Sequence, residues 1–430
     1  MDAGGFEMNQ TARQIAVVGG GASGMMAAIY AAREGAEVCI YEKNDRVGKK
    51  ILATGNGKCN YSNLHMDASC YRGGDPERIR QVIESFPPKA CRDFFEALGM
   101  LTQEKNGYLY PASAQAATVL DLLRQELTHQ GVKIVTDCEV LKIHSQEGQG
   151  FTLACRKEGT AVTFRADRVI LSAGSPAGGF AGSKKAKEDK ASAPGAYGLL
   201  QDLGLPLVPV VPSLVQLKCA ETYLKAVAGV RFQGEVLLYA EDSLLAKEQG
   251  EIQMTDYGVS GIPVFQLSRY AAYALRQKKK VYVELNCLPW FTSEDYQSYC
   301  KSRRPLYPEQ TMEEFLEGMC NKKLAVLFLK LVGIRPGEPA IQVETKRLDK
   351  VYGLFCRFPL TVTATNPFAQ AQVCAGGLKL GAVDESLQVK RYPGLYVTGE
   401  LLDVDGRCGG YNLQWAFASG RLAGISAVRE

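Results

Sequence analysis

The stretch QIAVVGGGASGMMAAIYAAREGAEVCIYEK, residues 14–43, has a strand–helix–strand pattern built around three glycines. An apolar run leads into Gly19, Gly21 and Gly24, and an alanine-rich segment of helical length follows. A second apolar run closes the stretch and ends in the acidic residue Glu42. This order predicts a βαβ unit with a glycine turn between its first strand and its helix.

The glycine spacing is that of a dinucleotide-binding fold. Gly19 allows the tight turn, Gly21 lets the backbone approach a pyrophosphate, and Gly24 lets helix and strand pack closely. The free N–H groups of the helix N-terminus face the phosphates, and Glu42 is placed to accept hydrogen bonds from a ribose. An acid at this position disfavours a 2′-phosphate, so FAD or NAD is expected rather than NADP. The residues assigned to the cofactor here are Gly19, Gly21, Ala22, Ser23, Gly24, Glu42 and Lys43.

Two later stretches favour FAD over NAD. The run ADRVILSAGS, residues 166–175, is an apolar strand that breaks at an Ala-Gly step. The run PGLYVTGELLDVDGRCGGYNLQWAFASGRLAG, residues 393–424, gives a strand, a Gly-Glu step, a glycine loop and a terminal helix. In many FAD enzymes such an acidic step binds the ribityl or pyrophosphate region, and the helix dipole stabilises negative charge on the reduced flavin. The residues assigned here are Ala173, Gly174, Gly399, Glu400, Gly409, Gly410, Tyr411 and Asn412.

Four motifs resemble those of the BaiN/YhiN-type flavoproteins, a bacterial family of FAD-dependent oxidoreductases. They are ILATGNGKCNYSN (51–63), SAGS (172–175), TDYGVSGIP (255–263) and GELLDVDGRCGGYNLQWAFASG (399–420). The resemblance covers most of the chain and implies FAD, a three-part architecture and a cytoplasmic location. Members of the family act as a reductase of unsaturated bile-acid ketones and as an aminoacetone oxidase, so the substrate stays open.

The resemblance also places the run 51–63 beside the cofactor, where small residues let the backbone approach the flavin. Lys49, Lys50 or Lys58 would supply positive charge there, and asparagines tolerate left-handed backbone while offering donors and acceptors. Val140 falls where flavoproteins of this type hold the adenine through backbone bonds. The cofactor residues that the resemblance adds are Lys49, Lys50, Thr54, Gly55, Asn56, Gly57, Lys58, Cys59, Asn60, Val140, Asp405 and Leu413.

One motif departs from the family pattern. The family commonly shows Thr-His-x-Gly-x-Ser-Gly-Pro, whereas this chain has Asp256 in place of the histidine and Ile262 before the proline. If that histidine takes part in chemistry elsewhere, this protein must use another group. Lys58 and Tyr257 are the catalytic candidates, and Tyr411 is a further candidate for donating a proton or orienting the substrate. Each of the three is equally compatible with a structural role.

The spacing of apolar residues predicts an α/β fold with an insertion. Residues 73–131 have helical spacing and residues 132–171 read as strands, while short β runs follow residue 198. Helical spacing then returns, with a capping box at Thr311 and Glu314. We expect the substrate in the cleft between the insert and the nucleotide domain. The predicted parts are a Rossmann-like FAD-binding domain formed by both chain ends (1–196 and 365–430), an inserted β subdomain (197–289 and 335–364) and a small helical cap (290–334).

Composition narrows the class of function. The 430 residues carry a net charge of only +4, which predicts no nucleic acid or acidic membrane as partner. No apolar run reaches the roughly 20 residues that a spanning helix needs, and the N-terminus lacks a signal-peptide core. The thirteen cysteines include no Cys-x-x-Cys pair and only three histidines accompany them, which predicts reduced thiols in a cytoplasm and no metal site.

Three hypotheses of function stay open. No second glycine fingerprint appears between a strand and a helix, so NAD(P)H would act as a transient co-substrate, or electrons would come from an oxidised substrate and pass to oxygen. The first hypothesis is an FAD-dependent reductase of a small or steroid-like unsaturated ketone, fed by NAD(P)H. The second is an FAD-dependent oxidase of a small amine such as aminoacetone. The third is a flavin-binding protein that is RNA-associated or regulatory.

Overall fold

The computed structural model describes residues 12–146, 148–178 and 196–430. The chain forms two compact units. The first comprises Met1–Val210 and Val373–Glu430, and the second is Val211–Gln372. Both ends of the chain therefore belong to one unit, and the second unit is an insertion between them.

The first pass of the chain through the first unit contains both strands and helices. Its strands and helices are β1 (Gln14–Val18), α1 (Ala22–Arg33), β2 (Glu37–Tyr41), β3 (Ser62–Asn63), β4 (Tyr71–Gly73), α2 (Pro76–Ser85), α3 (Pro88–Ala97), β5 (Thr102–Lys105), β6 (Tyr108–Pro111), α4 (Ala116–His129), β7 (Lys133–Val135), β8 (Cys138–Gln146), β9 (Gly150–Lys157), β10 (Thr160–Ala166), β11 (Arg168–Leu171) and α5 (Ala196–Asp202). A 3₁₀ helix, Lys49–Gly57, lies between β2 and β3.

The chain enters the second unit within a strand, and most of the strands there belong to a closed barrel. The elements are β12 (Leu207–Ser213), β13 (Leu217–Cys219), β14 (Arg231–Ala240), β15 (Ser243–Met254), β16 (Gly258–Ser260), α6 (Ile262–Arg276), β17 (Val281–Asn286), α7 (Ser293–Arg303), α8 (Met312–Glu317), α9 (Lys322–Val332), α10 (Thr345–Cys356) and β18 (Phe358–Thr365). The barrel has the strand order β13-β16-β15-β14-β17-β18.

The barrel and the helices of the second unit share one apolar core. Alternate residues are buried along β17 and β18, as strands with one covered face require. Phe328 of α9 packs edge-on against Phe358 of β18, with ring centroids 4.9 Å apart. The chain divides into two units, and residues 211–372 form the second of them. The predicted division into three parts, with boundaries at residues 197, 290 and 335, stays a prediction.

The predicted capping box at the start of α8 is confirmed. The Thr311 hydroxyl accepts a hydrogen bond from the Glu314 N–H at 3.3 Å, and the Glu314 carboxylate accepts one from the Thr311 N–H at 2.8 Å. Two of the N–H groups that a helix start leaves without partners are thereby satisfied.

The chain returns to the first unit and completes its central sheet. The returning elements are β19 (Val373–Leu378), β20 (Leu395–Val397), β21 (Val404–Gly406) and α11 (Tyr411–Arg429). The central sheet has five strands in the order β20-β11-β1-β2-β7, and all four pairings are parallel. In β1 every residue after the first is buried, as expected for a parallel sheet covered on both faces.

Two helices of the first unit pack closely through glycines. A Cβ atom at Gly420 of α11 would lie 2.2 Å from the Ser23 carbonyl oxygen of α1, and one at Gly424 would lie 2.4 Å from that of Ala27. Only glycine permits this approach. The contacts pair successive turns of the two helices, which therefore run parallel.

The prediction of helical structure throughout residues 73–131 was wrong for one segment. Strands β5 and β6 form an antiparallel hairpin in which Lys105 pairs with Tyr108. The two residues between them, Asn106 and Gly107, have φ values of 53° and 83°. Positive φ at both positions is what a type I′ turn requires, and the Asn-Gly dipeptide was the available signal.

The described part of the chain contains no helix that is both long and apolar enough to cross a bilayer. All thirteen cysteines are in the described ranges, and each is a free thiol.

Candidate functional site

Four of the predicted cofactor segments follow the carboxyl ends of four neighbouring parallel strands. Gly19 follows β1, Glu42 follows β2, Ala173 follows β11 and Gly399 follows β20. Because parallel strands end at the same edge of a sheet, these segments meet there. Ligands of open α/β sheets bind at this edge.

The three glycines of the fingerprint play different roles in the structure. Gly19 has φ +98°, and a Cβ atom there would lie 2.5 Å from the Ala173 Cα. A Cβ atom at Gly24 would lie 2.0 Å from the Gly19 oxygen, whereas one at Gly21 would meet no protein atom within 4 Å. Packing therefore requires Gly19 and Gly24, and Gly21 faces open space that a diphosphate could fill. The cradle fits the pyrophosphate of FAD.

The first turn of α1 is available to an anion. Gly21 is its N-cap residue, and no side chain caps the turn. The first hydrogen bond of the helix runs from the Met25 N–H to the Gly21 oxygen at 2.9 Å, so the N–H groups of Ala22, Ser23 and Gly24 have no acceptor within the helix. These three groups, at the positive end of the helix dipole, suit a phosphate.

Glu42 is a buried carboxylate that also closes the glycine loop. Glu42 is only 7% exposed, and its Oε2 accepts a hydrogen bond from the Gly20 N–H at 2.8 Å. Oε1 accepts from the backbone N–H of Asn44 at 2.9 Å and from its side-chain amide at 2.5 Å. A carboxylate offers about four acceptor positions, so about one is left for a ribose hydroxyl.

Replacing Glu42 with alanine should weaken FAD binding by about 10- to 100-fold, since hydrogen bonds to a charged group contribute about 1.5–3 kcal/mol. The variant loses both the carboxylate that would accept from the ribose and the hydrogen bond from the Gly20 N–H to Glu42. Titration of the apoprotein with FAD, followed by flavin fluorescence, would give the dissociation constant. Glu37→Ala, which replaces an exposed acid at the start of β2, is the control. Equal affinity in the two variants would contradict the assignment of Glu42.

The turn that follows β2 has a fixed backbone. The Thr54 hydroxyl donates to the Ile51 oxygen at 2.6 Å, and the Cys59 N–H donates to the Thr54 oxygen at 3.2 Å. Cys59 is fully buried with φ 55°, and burial raises the pKa of its thiol to about 11. A neutral buried thiol is a packing group rather than a nucleophile. Lys58 is exposed, and Lys49 pairs with Asp45.

Lys50 and Glu400 form an ion pair that joins two of the predicted motifs. The Lys50 Nζ lies 2.6 Å from the Glu400 Oε2 and 3.4 Å from the Ser175 Oγ. The Glu400 Oε1 accepts from the Cys374 N–H at 3.3 Å, and the Glu400 carbonyl oxygen accepts from the Tyr197 hydroxyl at 2.7 Å. Glu400 therefore ties three other segments of the first unit to its own, and Lys50 adds the segment of Ser175.

The segment VCAGGL, strand β19, was missed as a part of this site. Gly376 and Gly377 have φ values of 90° and 138°, and a Cβ atom at Gly377 would lie 2.5 Å from the Leu401 oxygen. Burial, with a contribution from the Glu400 carboxylate, raises the pKa of the Cys374 thiol to about 12. The available signal was an Ala-Gly-Gly step within an apolar strand.

The glycine loop before α11 packs against the segment that follows the first motif. Gly409 and Gly410 have φ values of 122° and 92°. A Cβ atom at Gly410 would lie 2.6 Å from the Ser62 carbonyl carbon, and the Asn63 amide donates to the Gly409 oxygen at 3.2 Å. When the Asn60 amide is oriented with its nitrogen toward the Ser62 oxygen, the orientation that satisfies both of its ends, it donates to that oxygen at 2.8 Å. The structure therefore brings the first and last motifs together.

Two candidates at the start of α11 have structural roles. The Tyr411 hydroxyl donates to the His65 oxygen at 3.0 Å, and burial raises the Tyr411 pKa. Asn412 holds Gly406, accepting from its N–H at 2.8 Å and donating to its oxygen at 3.0 Å. Tyr411 is therefore a poor proton donor, while the first turn of α11 has no side-chain cap and is open to an anion.

The remaining predicted residues lie in defined elements of the first unit, and their cofactor contacts stay predictions. Val140 lies in β8 opposite Cys155, where the strand pairing shifts by one residue just beyond it. Asp405 is a buried residue of β21, and Leu413 is a half-buried residue of α11. Gly55, Asn56 and Gly57 lie in the 3₁₀ helix, and the Asn56 side chain is outside the described part of the structure.

Tyr257 belongs to the second unit. Tyr257 is 37% exposed, and its hydroxyl accepts a hydrogen bond from the Asn366 amide at 3.0 Å. Asp256, which replaces the family histidine, is exposed. The catalytic roles of Tyr257 and Lys58 stay predictions.

Comparison with known proteins places the chain in a family. The family model described as HI0933-like protein Rossmann domain matches residues 13–426. A 3-dehydro-bile acid delta(4,6)-reductase of Clostridium scindens is 43% identical over 97% of this chain and 99% of the relative. A ribosomal RNA dihydrouridine synthase of Haemophilus influenzae is 25% identical over 98% and 100% of the two chains.

Among solved structures, the Mycobacterium smegmatis Sdh1 complex in the apo form has a TM-score of 0.50 and 16% identity, and the match covers 97% of this chain and 68% of that chain. This likeness concerns the fold alone. The matches to the family model and to the reductase confirm the predictions of the family, of a Rossmann-like FAD-binding fold and of an oxidoreductase. The chain belongs to the HI0933-like Rossmann family, a family of FAD-dependent oxidoreductases.

Proposed function

We propose that this protein is an FAD-dependent reductase of a carbon–carbon double bond conjugated to a ketone in a steroid-like molecule, with electrons supplied by NAD(P)H. The observation that carries the proposal is the 43% identity, over nearly the whole of both chains, to a 3-dehydro-bile acid delta(4,6)-reductase. The name of that relative specifies a ketone at one ring position and two ring double bonds. We expect the same substrate class here.

The first unit supplies the binding groups for FAD in this proposal. The glycine loop and the first turn of α1 would hold the diphosphate, and Glu42 would accept from the ribose. The start of α11 would place the positive end of a helix dipole beside the reduced ring. FAD, when bound, supplies hydride transfer. The residues of the chain position it and exclude competing reactions.

Reduction of a conjugated double bond also needs a proton. Hydride addition at the carbon remote from the ketone sends negative charge to the ketone oxygen, and a proton donor at that oxygen stabilises the change. Tyr257, which is partly exposed, is the proposed donor. Lys58 is exposed and can supply positive charge, but the structure gives no contact that would orient it.

An anaerobic half-reaction experiment tests the proposal. NADH and then NADPH are added to the purified holoprotein, and a steroid with a 3-ketone and 4,6-double bonds follows. We expect one nicotinamide to bleach the flavin band and the steroid to restore it, with a product heavier by about 2 Da for each double bond reduced. The control is the same steroid without double bonds, which should leave the reduced flavin unchanged.

Other outcomes would identify other functions. Bleaching by aminoacetone, peroxide formation in air and no response to either nicotinamide would contradict the proposal and support an amine oxidase. Reoxidation of the reduced flavin by ribosomal RNA, and not by the steroid, would support the function for which the Haemophilus influenzae relative is named.

A further inference from the structure

The segment from the end of β7 to the start of β8 fixes the backbone around Glu42. The Glu42 N–H donates to the Val135 oxygen at 2.9 Å, and the Cys138 N–H donates to the Glu42 oxygen at 2.9 Å. Two residues further along the chain, the backbone oxygen of Asn44 accepts from the Asp137 N–H at 3.0 Å. The side chains of Glu42 and Asn44 therefore start from fixed positions.

Asn44 holds one oxygen of the Glu42 carboxylate with two N–H groups. Its side-chain nitrogen donates to Glu42 Oε1 at 2.5 Å, and its backbone N–H donates to the same oxygen at 2.9 Å. A carboxylate only accepts, so the nitrogen end of the Asn44 amide is the end that faces it. Within the described part of the chain no lysine or arginine forms an ion pair with Glu42, and N–H groups alone stabilise its charge.

The carboxylate of Glu42 has one acceptor position left for a ligand. Oε1 accepts two N–H groups, both from Asn44, and is filled. Oε2 accepts one N–H group, from Gly20 of the glycine loop at 2.8 Å, and can accept one more. The two hydroxyls of a ribose are on adjacent carbons, and a carboxylate with both oxygens open could accept from both. With Asn44 in place, Glu42 can accept from only one of them.

We infer that Asn44 is a positioning residue that limits Glu42 to a single hydroxyl of the adenosine ribose of FAD. Asn44 occupies Oε1, while Oε2, which also bonds the glycine loop, keeps its open position for the sugar. The site therefore discriminates between the 2′- and the 3′-hydroxyl. The inference concerns binding of the cofactor, and it holds for any substrate that the reduced flavin serves.

Three nucleotides that share the adenosine and diphosphate of FAD test the inference: ADP, 2′-deoxy-ADP and 3′-deoxy-ADP. Each competes with FAD for the full-length apoprotein, and flavin fluorescence gives its dissociation constant. In the parent, one deoxynucleotide should bind about 10-fold or more weakly than ADP, because it lacks a hydrogen bond to a carboxylate. The other should bind within about threefold of ADP. This comparison needs no variant and so does not depend on the folding of one.

Asn44→Ala should change the preference between the two deoxynucleotides. ADP should bind about 3- to 10-fold more weakly, because the Glu42 carboxylate loses a donor and can turn. The position that opens on Oε1 lets the second hydroxyl bond, so the affinities of the two deoxynucleotides should differ by less than about threefold. Adding Asn44→Ala to Glu42→Ala should cause no further loss of ADP affinity, because Asn44 acts through Glu42. A merely structural role of Asn44 would leave the preference between the nucleotides unchanged.

A second substitution and a control accompany Asn44→Ala. Asn44→Asp keeps the size of the side chain but places a carboxylate against that of Glu42, so ADP should bind still more weakly than it binds to Asn44→Ala. Gln103→Ala, at an exposed amide of β5, should match the parent with all three nucleotides. Thermal unfolding of each apoprotein shows which variants are folded in the binding experiment.

Four results would overturn the inference. Equal losses for the two deoxynucleotides in the parent would show that Glu42 accepts from both hydroxyls, and full affinity for both would show that it accepts from neither. An unchanged preference in Asn44→Ala would show that Asn44 does not set it. Failure of ADP to compete with FAD would remove the diphosphate site itself. None of these results depends on whether the protein reduces an enone, so the proposed function and this inference can fail separately.

Discussion

Replacing Gly21 with valine should abolish FAD binding and leave the fold intact. A Cβ atom at Gly21 would meet no protein atom within 4 Å, and φ is −78°, which valine adopts readily. The cost to the helix start is therefore about 1 kcal/mol or less. The added side chain would instead fill the space that the diphosphate needs. Loss of two charge-assisted hydrogen bonds to phosphate, at about 1.5–3 kcal/mol each, lowers the affinity more than 100-fold.

Gly24→Val is the matched comparison for Gly21→Val. A Cβ atom at Gly24 would lie 2.0 Å from the Gly19 oxygen and 3.2 Å from the Ser172 Cβ, so this variant should fail to fold or should unfold at a much lower temperature. Gly353→Ala, in an open position of α10, is the neutral control.

The glycine variants are compared by flavin titration and by thermal unfolding of each apoprotein. Full flavin content in the Gly21 variant would refute the assignment of the glycine loop. The assignment would also be refuted if Gly21→Val and Gly24→Val unfolded at the same low temperature. Gly21 would then be required for packing, as Gly24 is, and not for binding alone.

The sequence predicted those parts of the site that depend on neighbouring residues. The spacing of Gly19, Gly21 and Gly24 decides a local turn, and the alternation of apolar runs decides which segments are strands. The capping box at Thr311 is equally local, since its partner is three residues away. For the same reason the hairpin at Asn106 and Gly107 could have been predicted from its dipeptide.

Features that join distant segments could not be predicted in the same way. Lys50 and Glu400 are 350 residues apart in the chain, and nothing in the sequence near either one names the other. Asn366 and Tyr257 are likewise 109 residues apart. Closure of the barrel depends on the pairing of β13 with β18, and no single strand specifies its partner. A glutamate step suggested a cofactor ligand, whereas in the folded unit both carboxylate oxygens of Glu400 have partners within the protein.

Replacing Lys50 with methionine should destabilise the protein, because the change breaks the ion pair between Lys50 and Glu400. The substitution removes the only cation that the described structure places on the Glu400 carboxylate, whose side chain is 16% exposed against 36% for Lys50. Loss of one partner costs about 0.2–1 kcal/mol at an exposed pair and about 3–5 kcal/mol at a buried one. For this partly buried pair we expect about 2 kcal/mol, or about 2–4 °C in the unfolding temperature of the apoprotein.

The same variant should bind FAD about tenfold more weakly, because Glu400 joins three other segments to its own around the predicted cofactor edge. Glu400→Gln in the Lys50→Met background removes the unpaired charge and should restore more than half of the lost stability. Lys379→Met, an exposed lysine that follows β19, should behave as the parent. Thermal unfolding and flavin titration of all four proteins, and of Glu400→Gln alone, give the coupling between the two residues. If Lys50→Met and Lys379→Met unfold at the same temperature, the Lys50–Glu400 ion pair does not stabilise the fold. Glu400 would then not be the residue that connects these segments.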